Sequence, residues 1–152
     1  MLKQAIVAFA VLHAWGGTAR ADQVAALNES EIPRLAAITA FHSLTDKEHE
    51  LSVRLVEADS VDVAKNPVTL FLVINNDAGG PDSQEHVWHL PAVADVTRFS
   101  LKKSGVQISA RVDGALNEQT GRLSEHGETL SVSYSFAKGQ WSDQILVKTS
   151  RP

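Results

Sequence analysis

Apolar and polar side chains alternate through most of the chain after position 50, and a period of two predicts strands. Leu51, Val53 and Leu55 alternate with Ser52, Arg54 and Val56, as in a strand with one face buried. Asn66-Pro67 punctuates, and Val68 to Ile74 is apolar except for Thr69, the pattern of a central strand covered on both faces. His86 to Leu90 reads as a further short strand. Phe99 and Leu101 lead through Lys102-Lys103-Ser104-Gly105 to Val106, Ile108, Ala110 and Val112, a hairpin expected to end at Asp113-Gly114. After Arg122 to Ser124 and the polar stretch Glu125-His126-Gly127-Glu128, Leu130, Val132, Tyr134 and Phe136 alternate with Ser131, Ser133 and Ser135. A turn at Lys138-Gly139-Gln140 then returns the chain through Trp141, Asp143, Ile145 and Val147.

Before position 51 the pattern changes. Asn28 or Ser30 can cap a helix with Glu31, Ile32 and Pro33 in its first turn, and Leu35, Ile38, Phe41 and His42 follow at helical spacing toward Leu44. The expected architecture is mainly β: an antiparallel β-sandwich of about seven or eight short strands, immunoglobulin-like in general plan, with a short N-terminal helix on or beside it. A small closed β-barrel is the alternative, because alternation alone does not separate the two.

The first residues fit neither pattern. Lys3 gives a positive start, Ala5 to Leu12 is an unbroken apolar run, and Ala19-Arg20-Ala21 is a small-x-small site before Asp22, which together predict a secretory signal peptide. The run is too short for the ~20 apolar residues that span a bilayer. The expected organisation is therefore a signal peptide at 1–21, a helical segment at 22–50 and a β-sandwich domain at 51–152. The expected location is periplasmic or secreted, with no membrane span in the mature protein. The 131 residues left after cleavage are enough to bury a core without staples. The chain has no Cys, which excludes disulfide scaffolds, thiolate zinc sites and cysteine nucleophiles.

Formal charge is −4 over the 152 residues and −6 after Lys3 and Arg20 leave with the leader. Nucleic-acid binding needs clustered cations, and the only adjacent basic pair is Lys102-Lys103. Residues 22–62 hold nine acidic side chains against Arg34, Lys47 and Arg54, whereas 63–152 hold nine of each sign. A cationic protein or peptide partner would be steered to that first third, with Glu48, Glu50 and Asp59 as candidate contacts. Trp88 is a further candidate anchor, since Trp is rich in contact hot spots, although Trp in a small sandwich also belongs to the core or its margin.

The loop from Asn75 to Glu85 contains Asp77, Asp82 and Glu85 among glycines, hard oxygen ligands of the kind calcium takes. Its spacing does not match an EF-hand, and ordinary turn chemistry accounts for the same residues. His86 and His89 follow, but on a strand they face opposite ways and cannot share a metal unaided. His42, His49 and His126 are the other histidines that could join them. His49-Glu50 begins like a zincin motif, but position 53 is Val where the second His belongs. No G-x-S-x-G elbow occurs, and no catalytic set or cofactor is expected. The favoured function is an exported, non-catalytic binding, adaptor or inhibitor-like module for a protein or peptide. The alternatives are a metal or small-ligand binder built on residues 75–89, with Asp77, Asp82, Glu85, His86 and His89 as ligands, and a hydrolase of unrecognised geometry.

Overall fold

The computed structural model describes residues 19–28, 38–59, 66–76, 84–137 and 140–152. Nine strands run through them: β1 (Ala19–Ala25), β2 (Ile38–Asp46), β3 (Leu51–Asp59), β4 (Val68–Asn76), β5 (Glu85–Val93), β6 (Asp95–Lys102), β7 (Gly105–Asn117), β8 (Arg122–Ala137) and β9 (Gln140–Ser150). They form two antiparallel sheets, one of five strands in the order β1-β9-β8-β7-β6 and one of four in the order β2-β3-β4-β5. Neither sheet closes on itself, which removes the barrel alternative.

Alternation places the core. Leu51, Val53 and Leu55 of β3, Leu70, Leu72 and Ile74 of β4, and Trp88, Leu90 and Val93 of β5 belong to one buried cluster. The same cluster takes Val106, Ile108, Ala110 and Val112 of β7, Leu130, Val132 and Tyr134 of β8, and Ile145 and Val147 of β9. The inner faces of both sheets thus share a single apolar core, the largest favourable term available to a fold of this size. On the opposite face of the four-stranded sheet, Val56, Ala58, Phe71 and Val87 make a second buried cluster. The continuous apolar run of β4 has this cause, because its two faces enter two different clusters. Gln107, Ser131 and Lys148 lie in register on the outer face of the five-stranded sheet, a polar surface.

Two expectations are corrected. Ile38 to Leu44, expected as the end of a helix, is strand β2, paired with β3 from Ile38 opposite Ala58 to Asp46 opposite Leu51. A register shift between Ile38 and Ala40 puts Ile38 and Phe41 on one face despite their spacing of three, which imitates helical periodicity. The earlier part of the expected helix, Glu31 to Leu35, lies outside the described residues. Asp113-Gly114 is not a turn: β7 continues to Asn117 through an irregularity between Asp113 and Leu116. Here the Asp113 amide donates to the Asn66 side chain at 2.8 Å, and a Cβ on Gly114 would lie 2.4 Å from the Ser124 hydroxyl. Close approach and not chain reversal is the reason for glycine there.

The two sides of the molecule are joined differently. On one side, the chain leaving β1 crosses between the sheets: the Ala26 amide donates to the Asp143 carbonyl at 2.7 Å and the Leu27 amide to the Val87 carbonyl at 2.8 Å. The Trp88 indole N–H also donates to the Asp143 carbonyl, at 2.9 Å. On the other side, edge strands β2 and β6 face each other, with the His42 and Phe99 rings in edge-on contact at 6.1 Å.

Candidate functional site

The histidines of the first third are held by carboxylates on the inner face of β2 and its hairpin. Asp46 ends β2 before the four-residue turn Lys47–Glu50. One of its oxygens accepts the Glu48 and His49 backbone amides at 3.1 and 3.2 Å, the local bonding that Asp favours at turns. The other accepts the His49 ring Nδ1 at 2.8 Å and the Tyr134 hydroxyl of β8. Asp46 is buried, so all four donors satisfy a charge removed from water. Burial by itself raises the Asp46 carboxyl, but the hydrogen bonds from Tyr134 and His49 outweigh it and hold the group below its ordinary value. Burial pushes the Tyr134 phenol well up, and the Asp46 hydrogen bond and charge push it further. Tyr134 is therefore a neutral donor at physiological pH, and the group ties the two sheets together across 88 positions of sequence.

A second pair lies farther along β2. His42 Nε2 meets a Glu57 carboxylate oxygen at 2.5 Å, with the Glu57 side chain only 9% exposed and that of His42 38% exposed. Glu57 continues the inward phase of Leu55 on β3, and the imidazole on the neighbouring strand is its partner. Beside this pair, between β2 and β6, lies a cleft of about 270 Å³ lined by His42, Ser43, Leu44, Val96, Thr97, Arg98 and Phe99. On the outer face of β2, Ile38 opposes Ala58 and Phe41 opposes Val56. Ile38 and Phe41 are 58% and 57% exposed, the most of the large apolar side chains described.

The residues singled out from the sequence are dispersed. Asp77 and Asp82 lie outside the described residues, and Glu85 is exposed at the start of β5. His86 pairs in register with Ile74 and stacks on Trp88 at 5.6 Å. His89 opposes Phe71 on the other face and stacks on it at 5.2 Å. Among the described residues, no three His, Cys, Asp or Glu side chains come together as a metal site. Trp88 is fully buried and takes the core position, so it offers no surface to a partner. Glu48 and Glu50 are exposed on the β2–β3 turn and Asp59 at the end of β3.

Sequence reasoning missed the Asp46–His49–Tyr134 and His42–Glu57 groups. Two signals were present: Asp46 stands before a polar turn, and Glu57 interrupts the apolar phase set by Leu51, Val53 and Leu55. No helix among the described residues is long and apolar enough to cross a membrane. No protein-family model, curated protein or solved structure matches the chain.

Proposed function

We propose that the protein is an exported, non-catalytic module that binds a protein or peptide partner, built as an antiparallel β-sandwich of immunoglobulin-like plan. The observation that carries the reading is the surface of β2, where Ile38 and Phe41 stand exposed together on a strand at the edge of its sheet. Exposed apolar side chains on an edge strand are costly to keep without a use, because they invite pairing. The chemistry nearby supports binding over catalysis: the carboxylate of Asp46 is saturated by donors and Tyr134 is held protonated, so neither is poised as base or nucleophile.

Export rests on the leader pattern of residues 1–21. Cleavage before Asp22 leaves Asp22–Ala25 of β1 paired with Val147 to Gln144 of β9, so the first strand keeps its anchor in the sheet. The test is affinity capture from an envelope or secreted extract, with the 22–152 protein as bait, at low and high salt. A specific protein retained at low salt and released at high salt is expected, given the acidic bias of residues 22–62. A folded bait that retains nothing at either salt would overturn the reading.

A further inference from the structure

Edge strands of soluble proteins usually carry a device that keeps other strands away: charge, proline, a bulge or a covering segment. Among the described residues, β1 carries Asp22, which stays with the sheet after cleavage. On β5, Pro91 lacks an amide hydrogen and the Val87 carbonyl is already taken by Leu27. On β6, Asp95, Arg98 and Lys102 are joined by a register irregularity between Val96 and Arg98. β2 differs from all three. From Ile38 to Thr45 it has no charged residue and no proline, its one ionised carboxylate, Asp46, is buried at the far end, and its single irregularity lies at its beginning. Its outer face presents Ile38 and Phe41, and its inner face lines the cleft toward β6 with His42 and Leu44.

Resting on the binding reading above, we propose that β2 receives an extended segment of a partner protein as an added strand, with apolar residues at alternate positions and basic residues at its ends. Strand addition supplies main-chain hydrogen bonds along the edge, and alternate side chains supply selectivity. On the outer face, the added side chains extend the row that already runs from Phe41 through Val56 to Phe71. The charge at the ends sets the flanking residues. Glu48 and Glu50 are exposed beyond one end of β2 with Lys47 between them and the strand, and Asp59 is exposed beside the other. The same distribution disfavours a second copy of this chain. A two-fold antiparallel pairing of β2 with itself brings the Glu48–Glu50 turn of one copy to the Asp59 end of the other, carboxylate against carboxylate.

The test is hydrogen–deuterium exchange of the full chain with a capped nonapeptide that alternates Val and Thr and has Lys at both ends, alongside a Glu-ended counterpart. The expected result is that amides of residues 38–46 slow by at least about tenfold with the Lys-ended peptide and not with the Glu-ended one. Phe41→Lys, a charge on the edge, abolishes the protection, and Phe41→Ser weakens it. Leu146→Lys, at an exposed apolar position on β9, leaves it unchanged. Protection of β1, β5 or β6 in place of β2, or equal protection by both peptides, overturns the proposal. So does protection of β2 without peptide that rises with protein concentration and accompanies a doubled mass, which would mean a second copy. If Phe41→Lys still captures the extract's partner as well as the parent does, the binding module stands and the β2 assignment falls. If the peptide protects β2 while the parent captures nothing from the extract, the edge stands and the exported-partner reading falls.

Discussion

At the residue scale, Tyr134 reports on the join between the sheets. It is the only tyrosine in the chain, so tyrosinate absorbance follows this one phenol. In the folded protein it should titrate well above the ordinary value of about 10 and return to that value on unfolding. Asp46→Asn should bring it only part of the way back, because burial is the larger cause of the rise and the carboxylate the smaller. The stability consequence has a definite sign for each partner. The Asp46 carboxyl is depressed in the folded state, so its contribution is present above the unfolded value of about 4 and is lost as pH falls through the folded one. The Tyr134 phenol is raised, so its contribution is present below about 10 and is lost as pH climbs toward the folded value. Denaturant midpoints across pH should therefore show a shoulder at each end; Tyr134→Phe should remove the alkaline one and alter the acid one, where His49 still bonds Asp46. At neutral pH, Tyr134→Phe should cost about 1–3 kcal/mol, since it takes one donor from a buried carboxylate.

At the scale of elements, the two four-residue turns make a matched pair. Asp46 and Asn117 each accept two turn amides, and each turn ends in a left-handed residue, Glu50 at φ 56° and Gly121 at φ 65°. The conformation suits glycine, so Glu50→Gly should be neutral or stabilising by up to about 1 kcal/mol, whereas Gly121→Ala should cost about 1 kcal/mol. Thermal unfolding of the two variants checks this. Gly105 is glycine for another reason: a Cβ there would lie 2.1 Å from the Val132 carbonyl oxygen. Gly105→Ala should cost more than Gly121→Ala, because backbone must move. Strands β3, β4 and β7 to β9 were legible in the sequence because their alternation matches the buried and exposed faces of a two-layer core. β2 was not, because its bulge spaces Ile38 and Phe41 by three, and an edge strand exposes apolar residues that a pattern reader assigns to a buried helix face. The extension of β7 past Gly114 was hidden for a related reason: Asp-Gly is a turn signal, and only the Asn66 and Ser124 contacts override it. The carboxylate–imidazole pairs join positions 15 and 3 apart and Tyr134 joins from another sheet. Residue types alone did not single them out, since a charged residue on a strand reads as solvent-facing until its partner is known.

For the whole molecule, stability rests on one core shared by two sheets, and among the described residues Trp88 is its largest fully buried side chain. Its ring fills space between β5 and the facing sheet, and its N–H bonds the Asp143 carbonyl of β9. Trp88→Ala should cost about 3–5 kcal/mol, a loss comparable with the total stability of a small domain. Trp88→Phe should cost less, because the Asp143 carbonyl keeps the Ala26 amide as a donor and loses only the indole N–H. Among the described residues, the edges β1, β5 and β6 carry charge, proline or an occupied carbonyl, and β2 carries none of these from Ile38 to Thr45. The measurement that tests this account most directly is an amide-exchange map of the leader-less protein alone and saturated with the protein it retains from the extract. The account predicts slowing concentrated in residues 38–46 and lost in Phe41→Lys. Slowing confined to β1, β5, β6 or residues 77–83, with β2 exchanging as in the free protein, would contradict it.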